Sequence, residues 1–123
     1  MMYKDKIIAV VGVSENTKKF GYRILKDLLK SGFNVLAVGI KDGSVDGEKI
    51  YKTLKDLPQK PDVILTVVPP VVTEKITETA IASGIKEIWM QPGSQSKTAT
   101  QKAREKGVTV INDKCFMEAN GIW

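Results

Sequence analysis

An unbroken apolar run, Ile7-Ile8-Ala9-Val10-Val11, stops at Gly12 and leads, through a polar turn, into an amphipathic helical pattern that opens at about Gly21. A strand that is apolar at every position has two faces to bury. A parallel sheet covered by helices on both sides provides for that. The turn, Gly12-Val13-Ser14-Glu15-Asn16-Thr17-Lys18-Lys19-Phe20-Gly21, carries chemistry of its own. A glycine that lets the backbone pass close to a ligand, a hydroxyl, nearby lysines and the open amides of a helix start together suit a phosphate group.

The alternation continues along the chain. Short β-rich segments recur at Ile7 to Val11, Asn34 to Val38, Val63 to Val68, Glu87 to Met90 and Val108 to Ile111. Helical patterns lie between them, from about Gly21 to Ser31 with Ile24, Leu25, Leu28 and Leu29 on one stripe, from Val71 to Ser83 with Ile76, Ala80 and Ile81 inward, and from Ser96 to Lys106. Each is closed by a glycine, at Gly32, Gly84 and Gly107. Gly39 to Ile50 has no such pattern and is expected to be a loop, followed by a short turn at Thr53 to Leu57 in place of a crossover helix. With 123 residues and 42% hydrophobic content the chain supports one core, so residues 1–123 are expected to form a single Rossmann-like α/β domain. Its sheet is expected to be five-stranded and mainly parallel, with helices on both faces.

Composition narrows the functional classes. The chain has no histidine and one cysteine, Cys115, which removes the usual general base, the commonest metal ligand and an internal disulfide. Neither a metal site nor a catalytic constellation is expected. No apolar segment approaches the roughly 20 residues of a membrane span, and the start of the chain has no signal-peptide pattern, so a soluble, cytoplasmic protein is expected. The net charge of +5 favours anionic partners. The lysines are scattered rather than interleaved with aromatics, which argues against nucleic acid.

Ligands of such sheets sit beyond the carboxyl ends of the strands, where the strand order reverses. Four segments converge on that edge: the Gly12 turn, Gly39 to Lys41, Val68-Pro69-Pro70, and Gln91-Pro92-Gly93-Ser94. Each also has a plain structural reading: a tight turn and helix cap at Gly12 and Ser14, surface charge at Lys18, Lys19 and Arg23, and a rigid strand stop at the prolines. The turn departs from G-x-G-x-x-G, and the second strand exits in Gly39-Ile40-Lys41 rather than in the acidic residue of an NAD site. Lys41 suits a phosphate on the ribose, which keeps an NADP-dependent oxidoreductase or another nucleotide-binding module open as alternatives. Asp42 beside it would restore the NAD reading after a slip of one residue.

The chain resembles the small CoA-binding proteins related to the CoA-binding domain of the succinyl-CoA synthetase α subunit. The resemblance rests on Val11-Gly12-Val13-Ser14 with Lys19-Phe20-Gly21-Tyr22-Arg23, on Lys41, on Gly47 to Tyr51, on Val68-Pro69-Pro70, on Trp89-Met90-Gln91-Pro92-Gly93 and on Asn112-Asp113-Lys114-Cys115. It implies coenzyme A as cofactor, with Gly12, Val13, Ser14, Lys19 and Arg23 at the pyrophosphate. Gly39 and Lys41 would lie at the ribose phosphate, Val68, Pro69 and Pro70 at the adenine, and Met90, Gln91 and Pro92 along the pantetheine arm. The family often has Asn-Pro before the lysine, where this chain has Gly39-Ile40. Without the phosphohistidine of the synthetases, the expected function is non-catalytic binding of CoA or acyl-CoA, with a homodimer or an acyl-CoA enzyme as partner. Cys115 is either a small core residue or a sulfur able to meet the CoA thiol, and Trp89 and Trp123 are expected to pack.

Overall fold

The central strand is β1 (Ile7–Val11), and every other element is placed by reference to it. In a computed structural model, which describes residues 3–123, a 3-10 turn at Tyr3–Asp5 precedes β1. There follow α1 (Phe20–Lys30), β2 (Asn34–Val38), β3 (Ser44–Val45), β4 (Glu48–Tyr51), a 3-10 turn at Leu54–Asp56, and β5 (Val63–Thr66). Next come α2 (Pro70–Ala82), β6 (Glu87–Met90), α3 (Lys97–Glu105), β7 (Thr109–Ile111) and α4 (Phe116–Ala119). The sheet has the order β3-β4-β2-β1-β5-β6-β7, parallel except for the β3–β4 pair.

The expected α/β architecture with a mainly parallel sheet is what forms, but the sheet has seven strands rather than five. The difference lies in Gly39 to Ile50, expected to be a loop. Asp46 and Gly47 both take positive φ (49° and 84°), the geometry of a two-residue hairpin turn. The hairpin buries Val45 and Ile50 against the α1 side of the sheet, and β4 then pairs with β2 at Ala37–Ile50 and Val38–Tyr51. The third expected strand segment, Val63 to Val68, stops at Thr66, so Val67 and Val68 already belong to the turn into α2.

Alternate residues of the strands feed two cores. Ile8, Val10, Val63 and Leu65 face Ile24, Leu25 and Leu28 of α1 and Phe116 and Met117 of α4. Ala9, Val11, Ile64, Ile88 and Met90 face Ala80 of α2 and Ala99 and Ala103 of α3. Helices therefore cover both faces, as expected. In α2 the buried stripe is Thr73, Thr77 and Ala80, with Ile76 and Ile81 half-buried at its border. The order reverses at β1: the chain leaves β1 through α1 toward β2 and returns at β5 on the other side. The carboxyl ends of β1 and β5, joined at Val11–Thr66, mark the switch point.

Candidate functional site

Three glycines bring four backbone segments together at the switch point. Gly12 has φ 111°, and a Cβ there would lie 2.2 Å from the Val67 carbonyl oxygen. A Cβ on Gly21 would lie 2.0 Å from the Gly12 carbonyl, and one on Gly39 would lie 1.9 Å from the Val13 carbonyl. The amides of Gly12 and Val13 both donate to the Val38 carbonyl, at 2.9 and 3.0 Å. Gly12 thus makes room for the protein's own backbone, and its amide is spent on β2. Val13 turns its side chain into the α1-side core.

The ligand-facing capacity lies further along. Ser14 Oγ accepts from the Asn16 amide at 2.9 Å, which leaves its own O–H to donate. Lys18 and Lys19 donate their amides to Asn16, while the amides of Ser14 and Glu15 have no acceptor among the described residues. The first intrahelical bond of α1 runs from the Arg23 amide to the Lys19 carbonyl, so the N–H groups of Phe20, Gly21 and Tyr22 point out of the helix start. Lys19 is the N-cap, with no side-chain cap. The other long helices are partly closed at their starts. In α2 the Val72 and Thr73 amides take the Pro69 carbonyl, and in α3 Ser96 Oγ takes the Ala99 amide.

Cations surround this opening. Among the described residues Lys18, Lys19 and Lys41 have no carboxylate within 4.0 Å, whereas Lys26, Lys52 and Arg23 are paired, to Asp46, Asp42 and Asp27. Lys41 is exposed two positions beyond Gly39, on the β2 exit that abuts Val13. Glu15, which sequence reasoning passed over, accepts from the Ser44 amide at 3.0 Å and ties the β1 turn to the hairpin. On the far side of the switch point Val68 is half-buried against the α2-side core and overhangs Gly12. Pro69, Pro70 and Val71 are exposed at the start of α2.

The remaining expected residues are placed differently. Met90 is wholly buried, and its sulfur takes the Thr100 hydroxyl at 3.4 Å. Gln91 is buried too: its Oε1 accepts from the Phe116 amide and its Nε2 donates to Cys115 Sγ at 3.4 Å. Both side chains turn inward, because β6 is covered on both faces, and only Pro92 of this segment is exposed. Cys115 is half-buried beside the β6 exit.

Two surface grooves lie elsewhere. One of about 540 Å³ runs between α3 and Asn112, but its Arg104 is already bonded to the Val110 carbonyl and its Asn112 to Thr100. The other, about 460 Å³, lies at the amino ends of β1, β5 and β6, beside Asp5, Lys6, Asp62, Lys86 and Glu87. Here Tyr3 donates to Glu87, and burial, then that bond and the carboxylate's charge, raise the Tyr3 phenol well above its ordinary range. The mouth at the switch point is an open rim, where the start of α1, without a side-chain cap, meets Lys18, Lys19 and Lys41. No helix of the described residues is long and apolar enough to cross a membrane.

Known proteins share this fold. A conserved hypothetical protein from Pyrococcus furiosus superposes with a TM-score of 0.87 at 38% identity, covering 93% of this chain and 98% of that one. A hypothetical protein from Pyrococcus horikoshii gives 0.88 at 33% identity, over 97% and 82%. The α subunit of ADP-forming acetate–CoA ligase II from Pyrococcus furiosus is 29% identical over 92% of this chain, which spans 27% of that subunit's length. The pattern of the CoA binding domain matches residues 6–120. With the glycine-locked turn, the open α1 start and nearly the whole chain matched, this chain belongs to the CoA binding domain family.

Proposed function

We propose that this protein binds coenzyme A or an acyl-CoA at the β1–β5 switch point, as a non-catalytic cytoplasmic module that serves an acyl-CoA enzyme. The observation that supports it most is the division between the two helices that open there. The α1 start offers unspent amides and lysines without partners, and the α2 start offers an apolar, proline-stiffened surface. One half suits a diphosphate and the other a flat base.

On this reading the amides of Phe20, Gly21 and Tyr22 and the Ser14 hydroxyl hold the pyrophosphate, with Lys18, Lys19 and Arg23 around it. Lys41 meets the ribose phosphate, and Val68, Pro69 and Pro70 flank the adenine. From the β6 exit, Pro92 and the backbone of Met90 and Gln91 flank the pantetheine arm. When bound, CoA supplies a thiol that carries acyl groups as thioesters. The chain's lack of histidine removes the phosphohistidine route, which supports a binding role rather than a ligase step. Relatives that are ligase α subunits support an acyl-CoA enzyme as partner.

Titration calorimetry with CoA and 3′-dephospho-CoA tests the reading. Saturable binding of CoA is expected. Lys41→Glu should weaken CoA by about tenfold or more, the range of a lost charge-assisted contact, and dephospho-CoA far less. Equal losses for both ligands would remove Lys41 from the ribose phosphate. Binding of NADPH without binding of CoA would replace the reading with the oxidoreductase alternative.

A further inference from the structure

Arg23 is held by an indole and a carboxylate together, as Lys18, Lys19 and Lys41 are not. Its guanidinium carbon lies 4.3 Å from the centre of the Trp123 ring, inside the range of a stacked cation–π pair. The indole is fixed from its other sides. Its N–H donates to Asp27 Oδ2 at 2.7 Å, and its ring meets Phe20 at a centroid distance of 6.4 Å. Asp27 also lies 4.0 Å from Arg23 Nε. Phe20, Arg23 and Asp27 recur at i, i+3 and i+7 and so form a stripe along the outer face of α1, on which Trp123 lies.

The indole is anchored to the body of the protein as well. The amides of Ile122 and Trp123 donate to the Met117 carbonyl at 2.8 and 3.2 Å, and Met117 is wholly buried in α4. That short helix is tied to the β6 exit by Gln91 and by the Trp89 indole, which donates to the Lys114 carbonyl at 2.9 Å. A continuous set of contacts thus runs from the end of β6, through α4, to the first turns of α1.

Stacking takes up one face of a guanidinium and leaves its edge, where the N–H donors are. The Arg23 side chain keeps 61% of its surface exposed despite the indole and Asp27. Helical side chains lean toward the helix start, and on that side of Arg23 lie the open amides of Phe20, Gly21 and Tyr22. A free arginine loses considerable rotamer freedom when it grips an anion, and one already stacked has lost part of it beforehand.

We propose that Trp123 is a positioning residue for the diphosphate: with Asp27 it holds Arg23 edge-on to the α1 start, ready to grip phosphate oxygens in a bidentate manner. The inference rests on the CoA-binding reading and adds to it a residue distant in sequence from every segment assigned to the ligand. It also makes the segment around Trp123 sensitive to ligand, because the indole and the phosphate share one guanidinium.

The test is a double-mutant cycle read by calorimetry with CoA. Trp123→Leu and Arg23→Gln should each weaken binding, Trp123→Leu by about two- to fivefold, the range of an exposed cation–π contact. Trp123→Phe, which keeps an aromatic face, should recover most of the loss. The double variant should bind no more weakly than Arg23→Gln alone, since the indole then has nothing to position. Wild-type affinity in Trp123→Leu, no recovery in Trp123→Phe, or full additivity in the double variant would each overturn the proposal. Failure of the wild type itself to bind CoA would instead overturn the reading on which it rests. Ring-current shifts of the Arg23 side-chain protons, present in ligand-free wild type and lost in Trp123→Leu, are expected on their own account, and their absence from wild type would refute the stacking.

Discussion

Gly21→Ala sets sequence propensity against packing. Gly21 is the second residue of α1 and has an ordinary helical φ, so by propensity alone alanine should stabilise the helix by up to about 1 kcal/mol. The structure reverses the sign. The added Cβ would stand 2.0 Å from the Gly12 carbonyl oxygen and 3.2 Å from the Val13 Cα, where contact requires more than 3.0 Å. The obstacle is backbone locked by its own bonds to Val38, not a side chain that can rotate away, so the start of α1 must retreat by about 1 Å. Overpacking of this kind costs about 3 kcal/mol at the upper end of its usual range, which leaves a net loss of about 2 kcal/mol after the propensity gain. For a chain of this size that is a fall in Tm on the order of 5–10 °C. Urea unfolding followed by circular dichroism would read it as a lower midpoint at unchanged slope. An unchanged or raised midpoint would refute the claim that Gly21 serves close helix–strand approach, and with it the geometry assigned to the switch point.

Two further predictions concern stability alone. The Thr73 hydroxyl is wholly buried in α2 without a hydrogen-bond partner among the described residues, so Thr73→Val should raise stability by about 1 kcal/mol, and a lower urea midpoint would contradict this. The Tyr3 phenol titrates higher in the folded chain than its ordinary 10.0, so between those values the native state keeps a proton that the unfolded state has lost. Its contribution to stability is therefore complete below pH 10 and falls as the pH rises past it. Urea midpoints measured from pH 8 to 11 should decline more steeply in wild type than in Tyr3→Phe, and parallel declines would dismiss the effect.

The sequence shows most plainly those parts of this fold that one element decides by itself. The run Ile7 to Val11 is apolar on both faces, which identifies a central parallel strand, and Ile24, Leu25 and Leu28 mark one stripe of α1. The hairpin leaves little trace in the sequence because β3 and β4 are two and four residues long and bury little besides Val45 and Ile50. Its signal was Asp46-Gly47 between those two apolar residues. At the site, the positions of Lys41, Pro69 and Pro70 follow from their places at strand exits, and that of Lys19 from the start of the first helix. The inward turn of Met90 and Gln91 does not, because it depends on Thr100, Cys115 and Phe116 from later elements. Trp123 could be read as packing, yet its contact with Arg23 joins residues at opposite ends of the chain, and no local pattern encodes that.

The division of labour among the turn's amides explains why this chain departs from the dinucleotide fingerprint. In G-x-G-x-x-G, glycines bring backbone up to a pyrophosphate. Here Gly12, Gly21 and Gly39 are used to bring backbone up to backbone, and each lies against a carbonyl of a neighbouring segment. The turn cannot also cradle the ligand with its Gly12 and Val13 amides, since Val38 holds both. What the close packing achieves instead is placement: it fixes the start of α1 against the ends of β1, β2 and β5, with its amides uncapped and its lysines unpaired. On the proposed reading, recognition thereby moves from the first amides of the turn to the helix start, where the aligned peptide dipoles favour an anion. The span between Gly12 and Gly21, too long for the fingerprint, is the length this arrangement needs, because it must carry Ser14, Lys18 and Lys19 past the locked carbonyls before the helix begins.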